Sequence, residues 1–331
     1  MHLGDYIYEG AGTSRVRTHD APECHTLEDY RHRYAIYKSD SALQAAHAAG
    51  PWLLVSDDHE VANDYAADHW RLLPPEMFLK RRAAAYQAYY EHVPMPRALM
   101  PVEARQALYT SRAFGDLAAI FMLDGRQYRS PQACAPFPLV ACDELYAPDR
   151  TMLGAAQEEW LRRSLGASTA RWNLLGQQTL LAHFDQSGDG PRAYWADGWN
   201  GYPAARERLV AALRERSVAN PVVFSGDIHA FLVNDVHAEA LDYDSPIVAT
   251  ELVTSSISSL GRPQQEFDRW LAENPNVHLA RSDYRGYVRV AIEPERLHAD
   301  LVAVDDITRA DSPTHVLASF DVEDGKPGVA R

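Results

Sequence analysis

Cysteine is scarce in this sequence, and long apolar runs are missing. Its three cysteines, Cys24, Cys134 and Cys142, are odd in number and show no CxxC spacing, which argues against a thiolate zinc site and a dense disulfide framework. Whether Cys134 and Cys142 form a bridge stays open at this stage. No apolar run reaches the roughly 20 residues that a transmembrane helix needs. The start, Met1 to Asp5, enters a polar turn without a secretion signal and, taken literally, predicts a cytoplasmic protein.

Basic residues are also in short supply. The sequence has 32 Lys and Arg against 46 Asp and Glu, a formal net charge of −14 at pH 7. This balance argues against a nucleic-acid-binding module, because phosphate backbones attract basic faces. It leaves phosphoester hydrolysis open, since bound metal ions can make an acidic site locally positive. No G-x-S-x-G elbow, phosphate-binding P-loop or G-x-G-x-x-G is present, so the serine-rich residues 255–259 are interpreted as structural or supporting.

Enough apolar residues are present for a packed core, since the hydrophobic fraction is 46%. Short apolar runs that end in turn residues predict strands buried on both faces, at residues 52–56, 118–123, 172–176 and 221–225. Stretches with helical patterning predict helices at residues 76–92, 157–165 and 264–273. The alternation predicts an α/β fold, and we expect one catalytic domain over residues 1–331.

Side chains that bind metals follow several of these strands. Asp57–Glu60 follows the first run, Asp124–Arg126 the second and Gly226–His229 the last. In α/β folds, ligands bind beyond the carboxyl ends of the strands. We therefore expect these distant segments to deliver carboxylate, amide and imidazole groups to one edge of one sheet.

The cluster nearest the start of the chain is Gly4–Glu9. An aspartate at a strand end can bridge two metal ions through its two oxygens, which makes Asp5 a candidate bridging ligand. Tyr8 follows shortly after, and its phenolate is a hard donor that suits a trivalent ion such as Fe³⁺. The alternative interpretation is a turn whose tyrosines belong to the core.

The next cluster combines Asp57–Glu60 with Asn63. Asp58 and Asn63 offer the oxygen ligands that Ca²⁺ prefers, and which of them binds directly stays open. His59 is a candidate to protonate a leaving oxygen or to contact a phosphoryl group. The alternative is helix capping, because acidic residues favour the first turn of a helix that would begin near Val61.

The last cluster, Gly226–His229, has the sharpest local geometry. On an extended chain, residues two apart point the same way, which predicts that Asp227 and His229 face one side. The alternative is a turn aspartate beside a histidine with ordinary partners. Arg126, after another strand, is a candidate to hold a phosphate oxygen in its fork, although a lone arginine is often structural.

Taken together, these clusters resemble the motifs of PhoD-like phosphatases. The similarity lies in residues 2–9, 57–63, 123–128, 152–161, 197–202, 225–229 and 285–287, in the family's order. It implies a calcineurin-like metallophosphoesterase fold, a β-sandwich flanked by helices. It also implies hydrolysis of phosphate mono- and diesters, with phospholipase D-like members in the family. The expected partners are small phosphoesters, phospholipid head groups among them, and we expect a monomer without a transmembrane segment.

The resemblance further implies a metal centre that pairs Fe³⁺ with Ca²⁺. In it Asp5 would bridge the ions and Tyr8 would bind iron. The metal ligands that the family motifs indicate are Asp5, Tyr8, Asp58, Asn63, Asp227 and His229, and the catalytic candidates are His59 and Arg126.

The chain departs from the family pattern at its start. Family members usually carry an export signal, a small β domain and a first catalytic strand with a cysteine ligand to iron. Here only three residues precede Gly4, so we expect a truncated N-terminus, and Cys24 is not assumed to replace the missing ligand. Loss of a core strand would expose a sheet edge. The alternative function is therefore a non-catalytic remnant that binds metal or phosphate, and the location stays open between cytoplasm and export.

Overall fold

A computed structural model of the chain describes residues 1–11, 16, 18–19, 22–134, 142–188 and 190–330. The strands in this part of the chain are β1 (Thr110–Phe114), β2 (Ala118–Met122), β3 (Trp172–Gly176), β4 (Pro221–Ser225), β5 (Phe231–Glu239), β6 (Asp242–Val253), β7 (Val277–Arg281), β8 (Arg285–Ile292), β9 (Arg296–Val304) and β10 (Thr314–Glu323). They form a seven-stranded sheet in the order β1-β2-β3-β4-β6-β5-β7 and a three-stranded sheet in the order β10-β9-β8.

The helices surround these sheets. They are α1 (Leu27–Lys38), α2 (Ser41–Ala49), α3 (Pro75–His92), α4 (Gly154–Ala167), α5 (Pro203–Glu215) and α6 (Gln264–Trp270), with short 3₁₀ turns at Arg97–Leu99, Asp143–Tyr146, Trp199–Gly201 and Leu271–Glu273. Proline occupies the first turn of α3 and of α5, where its missing N–H costs no helical hydrogen bond. No helix among the described residues is long and apolar enough to cross a membrane.

The centre of the large sheet is parallel, and both of its faces are covered. The β2–β3, β3–β4 and β4–β6 pairs are parallel, whereas β1, β5 and β7 pair antiparallel. Side chains alternate along each strand: Leu174 and Val222 face the small sheet, whereas Leu175 and Val223 pack with α4 and α5. This two-sided burial explains why the central strands are continuous apolar runs.

A separate core lies under α1 and α3 and is rich in tyrosine. Tyr30, Tyr34, Tyr86 and Tyr89 are buried there, together with Tyr6 from the start of the chain. This packing attaches the first residues to the helical layer. The polar segments that follow Tyr6 are therefore held against the body of the protein.

The structure confirms three predicted strands and corrects the fourth. Residues 118–123, 172–176 and 221–225 match β2, β3 and β4 closely, and the three predicted helices correspond to α3, α4 and α6 with its 3₁₀ extension. Residues 52–56 form only an isolated bridge from Leu54 to His2. A strand needs a partner of similar length, and the neighbouring segment pairs at one residue alone. The mixed α/β architecture with a large sheet agrees with the predicted fold class, whereas a single domain over residues 1–331 stays a prediction.

Cysteine pairing, which the sequence left open, is resolved by the structure. Cys134 and Cys142 form a disulfide. Cys24 is a free, buried thiol, and burial raises its pKa to about 11. A thiol with a raised pKa is a poor nucleophile near neutral pH.

Candidate metal centre

The carboxyl ends of neighbouring parallel strands define one edge of the large sheet. β2, β3, β4 and β6 run in the same direction, so the turns after Met122, Gly176, Ser225 and Val253 emerge side by side. Gly226 N donates to Gln178 O at 2.7 Å and thereby connects two of these turns. This edge of an α/β sheet is where ligands commonly bind.

The start of the chain reaches this edge by a close backbone approach. His2 N donates to Leu53 O at 2.8 Å, and Val55 N donates to His2 O at 3.1 Å. Gly4, with φ of 122°, then lies so close to Asp57 that a Cβ at position 4 would be 2.2 Å from Asp57 Cβ. Only glycine fits there, so it brings the first cluster beside the second.

Two glutamates hold these two clusters together reciprocally. The Glu60 carboxylate accepts hydrogen bonds from the backbone N–H groups of Asp5 (3.1 Å), Asp57 (2.7 Å) and Tyr6. Glu9, from the first cluster, accepts from Asn63 N and from His59 Nδ1, both at 2.6 Å. Bonds from N–H donors to buried carboxylates are strong, so the two segments are held as one rigid unit.

A phenol, a carboxylate and an imidazole meet at the start of this unit. The Tyr8 hydroxyl lies 3.1 Å from Asp5 Oδ2 and 3.0 Å from His229 Nε2. His229 Nδ1 lies 2.9 Å from Leu260 O, and because a carbonyl oxygen only accepts, Nδ1 carries the proton. The neutral ring, whose pKa burial lowers, thus turns an unprotonated Nε2 toward the Tyr8 hydroxyl.

Carboxylates crowd the same space. Oxygens of Asp57, Asp58 and Asp227 lie within 4.8 Å of one another, as do those of Asp58, Asp64 and Asp197 and the ligand atoms of Asp5, Asp58 and His59. Asp5 Oδ1 and Asp58 Oδ1 are buried and accept no hydrogen bond from the described part of the chain. Burial of carboxylate oxygens that accept no hydrogen bond is costly unless a cation binds them. The donor set therefore fits hard cations, because it combines carboxylate, amide and phenol oxygens.

The electrostatics show how crowded these charges are. Burial, reinforced by neighbouring carboxylates, raises the pKa of Asp227 well above its ordinary value and raises that of Asp57 to about 6. Burial opposes the charged form of His59, but Asp5, Asp58 and Glu9 outweigh it and raise the pKa of His59 well above its ordinary value. An excess of negative charge is what a cation would neutralise.

Arg126 lies behind this group of carboxylates. Its guanidinium is fully buried, donates from Nε to Asp57 and pairs with Asp197 at 2.7 Å. Asp58 and Asp227 each lie 3.6 Å from Nη2. Burial opposes the charged form, but Asp197, Asp57 and Asp58 outweigh it and raise the pKa of Arg126 well above its ordinary value, so the guanidinium remains charged. The positive charge offsets part of the acidic cluster but has no exposed face for a substrate.

An open cavity of about 370 Å³ lies in front of the cluster. Six predicted site residues line it: Asp5, Asp58, His59, Asn63, Asp227 and His229. The lining also includes the apolar side chains of Phe184, Trp195 and Leu260. Among the described lining residues, Arg262 is the one arginine or lysine. An acidic lining with apolar side chains and one cationic side chain suits a small anion bound through metal ions.

Comparison with known proteins identifies the family of the chain. A family model described as PhoD-like phosphatase matches residues 1–301. The chain belongs to the PhoD-like phosphatase family. It is 40% identical over 345 aligned residues to alkaline phosphatase D of Bacillus subtilis (strain 168), an alignment that covers 100% of this chain and 58% of that protein. A solved structure titled "Structure of PhoD" matches with a TM-score of 0.94 and 40% identity, over 99% of this chain and 65% of that one. The chain thus spans less than two thirds of the relatives that it matches.

The sequence-predicted residues of this PhoD-like chain come together, although not all in the predicted way. Asp227 and His229 share the cavity but not by extended geometry: their φ values are 67° and 56°, because the chain bends directly after β4. No helix begins near Val61 among the described residues; Val61 N and Ala62 N close a single turn onto Asp58 O. Arg126 is buried rather than exposed to the cavity, which differs from its predicted contact with substrate.

Other residues of the PhoD-like site were not predicted from the sequence. Asp64 and Asp197 join the carboxylate cluster, and Glu9 and Glu60 hold its two segments. Glu9, Glu60 and Asp197 lie inside motifs and Asp64 directly follows one, but aspartate and glutamate are common and no local pattern reveals which of them is buried. Arg262 lies in a polar segment that had no assigned function. Its place at the cavity depends wholly on the packing of distant segments.

Proposed function

We propose that this PhoD-like chain hydrolyses phosphate monoesters and diesters at a centre of two cations, Fe³⁺ and Ca²⁺. The observation that carries the proposal is the pair of buried oxygens, Asp5 Oδ1 and Asp58 Oδ1, which lack a described hydrogen-bond donor beside an open cavity. The relative named alkaline phosphatase D supports the reaction class. When bound, the cations would polarise the phosphoryl group and supply a nucleophile near neutral pH.

The proposed ligands divide by their chemistry. Tyr8 and His229 offer a phenol oxygen and an imidazole nitrogen, which suit Fe³⁺, and Asp5 lies between them and Asp58 in a position to bridge. The remaining proposed ligands, Asp58, Asn63 and Asp227, offer oxygens to Ca²⁺. Asn63 Nδ2 donates to Asp64 at 2.5 Å, which leaves its carbonyl oxygen free to turn toward an ion.

His59 is the proposed catalytic side chain that contacts substrate. Its Nδ1 donates to Glu9, so Nε2 is the nitrogen left for the cavity that the ring lines. From there it can donate a proton to the leaving oxygen or a hydrogen bond to the phosphoryl group. The centroids of the His59 and Tyr8 rings lie 4.1 Å apart, and this packing keeps the His59 ring oriented.

Two arginines have different proposed roles. Arg126, buried behind Asp57 and Asp197, is a positioning residue that keeps the carboxylates in place. Arg262 is the proposed cationic contact for the anionic substrate. Its side chain is 43% exposed, pairs with Glu266 at 3.1 Å and lies 5.7 Å from the Trp195 ring. Such an exposed pair is weak and can exchange Glu266 for a phosphate oxygen.

Metal removal tests the proposal directly. Protein stripped by a strong chelator is expected to lose turnover of a chromogenic phosphodiester, and Fe³⁺ with Ca²⁺ is expected to restore it. Elemental analysis of the untreated protein measures the metals. Full activity in the stripped protein would refute the proposal, whereas bound metal without turnover would identify a non-catalytic remnant. Phospholipid substrates, compared with small aryl phosphoesters, define the substrate class.

Export and a monomeric state complete the proposal. The Cys134–Cys142 disulfide supports export, because disulfides persist mainly in oxidising compartments. Thiol titration of protein isolated from the native cell measures the disulfide, and light scattering measures the mass. A reduced pair in the native protein would count against export.

A further inference from the structure

The serine-rich segment after β6, residues 255–262, passes directly over His229. Leu260 O accepts the hydrogen bond from His229 Nδ1 at 2.9 Å. At the next residue the backbone of the segment comes even closer to the backbone of His229, since a Cβ at Gly261 would lie 2.5 Å from His229 O. The segment therefore fits against the proposed ligand only because residue 261 is glycine.

Arg285, at the start of β8, holds this segment from the opposite side. Its Nη1 donates to Ser256 Oγ at 2.8 Å and to Ser259 O at 2.6 Å, and its Nη2 donates to Ser282 O. Gly286 N donates to Ser256 O at 3.0 Å. Arg285 is only 5% exposed, so these contacts are shielded from water. The planar fork bonds the segment through Nη1 and Ser282 through Nη2 at the same time, which a lysine cannot reproduce.

We propose that Arg285 is a positioning residue of the metal centre, which acts through segment 255–262 on the ring of His229. The Leu260 carbonyl requires the proton on Nδ1, and this leaves Nε2 free for a cation. Metal-binding histidines commonly depend on such a second partner for tautomer and orientation. Without Arg285 the segment loses its anchor, the carbonyl moves, and the ring can turn or place its proton on Nε2.

This inference rests on the proposed function only in that His229 is the proposed ligand. It gives a role to two sequence features that the site itself does not use, the serine-rich run and the Arg285–Gly286 pair. Ser255 Oγ, which donates to Tyr284 O at 2.7 Å, is a further contact between the segment and the residue that precedes β8.

The test uses Arg285→Ala and Arg285→Lys in the full chain, with Arg289→Ala as the matched control. Arg289 lies on the same strand, is 59% exposed and pairs with Asp300 at 2.7 Å, away from the segment. Nitrogen-15 NMR of histidine-labelled, metal-free protein reads the His229 tautomer. A chelator then measures the rate at which iron and calcium leave the loaded protein.

The expected result is an Nδ1-protonated His229 in wild type and Arg289→Ala, and a mixed tautomer in Arg285→Ala. Metal release is expected to be about 10 to 100 times faster in Arg285→Ala, with Arg285→Lys between, which is the usual cost of losing a supporting contact. In a double-mutant cycle, Arg285→Ala is expected to add little to His229→Ala, because both act through one ring.

An unchanged tautomer, or effects on metal release that simply add, would overturn the inference and leave Arg285 a purely structural residue. If Arg285→Ala does not fold, Gly261→Ala takes its place in the same cycle, because its added Cβ displaces the segment from His229. The tautomer is measured without metal or turnover. A protein that proves inactive therefore refutes the proposed function without deciding the role of Arg285.

Discussion

Two clusters of histidine and aspartate in this molecule look alike in composition but differ in their surroundings. At the sheet edge, Asp5, Asp58 and His59 face a cavity with carboxylate oxygens that no described donor satisfies. On the three-stranded sheet, His298 instead bonds Asp321 at 2.8 Å and Asp300 at 3.1 Å.

The cluster of His298, Asp300 and Asp321 on the three-stranded sheet, here called the outer cluster, pairs its charges with its own side chains and their neighbours. Asp300 also accepts from Ser319 at 2.6 Å and from Arg289 at 2.7 Å, and these partners lower its pKa to about 2. The cluster at the sheet edge around Asp5, Asp58 and His59, here called the inner cluster, has more buried carboxylates than cationic side chains. Its remaining oxygens therefore need a bound cation. The difference teaches that an acidic cluster indicates function when its charges are buried and unbalanced, not when it is merely dense.

The largest expected effect comes from a direct loss of charge at the inner cluster. Asp58→Asn removes the carboxylate that belongs to all three groups of candidate ligands, so we expect hydrolysis to fall by at least about 100-fold, together with bound calcium. Phosphodiester kinetics and elemental analysis measure both. Asp68→Asn, an exposed aspartate ten residues along, is the matched control and should behave as wild type. If Asp58→Asn kept its metal and its activity, the inner cluster would no longer differ from the outer one in cation binding.

A smaller loss is expected where support for the site is removed. Glu9→Gln weakens the bonds to His59 Nδ1 and Asn63 N, so we expect kcat/KM to fall by about 10 to 100-fold while the protein stays folded. Steady-state kinetics and a circular dichroism spectrum check this. Glu23→Gln, whose half-exposed carboxylate pairs with Arg81, is the control. Equal activity in the two variants would show that the Glu9–His59 contact has no effect on turnover.

His183 offers an intermediate case, because it is buried like the inner cluster but satisfied like the outer one. Its two nitrogens lie 3.0 Å from Tyr243 Oη and 3.1 Å from Tyr194 Oη. Burial, with Arg206 and Arg192 nearby and against the pull of Asp185, lowers the pKa of His183 to about 4.

Because the folded-state pKa of His183 lies below its unfolded value of about 6.5, the unfolded chain binds the proton more readily. Neutral His183 therefore stabilises the folded protein fully above a pH of about 6.5. As the pH falls from about 6.5 toward 4, the free energy of unfolding is expected to decrease by up to about 3 kcal/mol. Urea unfolding across this range measures it, and His183→Gln should flatten the curve without change in activity at alkaline pH. If the variant lost stability over this pH range as steeply as the wild type, His183 would not be the group responsible.

The smallest effect is expected at the outer cluster. Asp300→Asn should leave hydrolysis and bound metal unchanged and should cost about 1 kcal/mol of stability, since its ion-pair partners Arg289 and His298 are 59% and 35% exposed and such pairs contribute little. Activity assays, elemental analysis and thermal unfolding measure the three quantities. A marked loss of metal in Asp300→Asn would mean that the outer cluster also takes part in cation binding.

Much of the fold and the site was predictable because the signals are local. The central strands were found as apolar runs, since a parallel sheet covered on both faces needs apolar side chains at every position. Asp58, Asp227 and His229 were predicted as ligands because metal-binding side chains follow those runs, whereas Asp5 was predicted from its own cluster near the start of the chain; the four residues line one cavity. Residues 52–56 had the same apolar signal but lack a long partner, which no local pattern reveals.

Arg126 shows where local reasoning stopped. An arginine after a strand can face solvent, substrate or the interior, and its burial against Asp57 and Asp197 depends on residues 69 and 71 positions away in sequence. The same holds for Arg285, whose effect on His229 passes through a segment between them. Such contacts depend on the whole chain, because tertiary packing rather than the adjacent sequence determines which residues meet.

Side-chain chemistry and apolar periodicity are local properties, so the sequence was enough to predict which chemical groups this protein has and in what order they follow the strands. The tertiary structure alone decided which of those groups lose their contact with water, which charges balance one another and which oxygens are left without a donor. Burial and pairing are long-range properties, and they distinguish the acidic cluster at the sheet edge from its counterpart on the outer sheet.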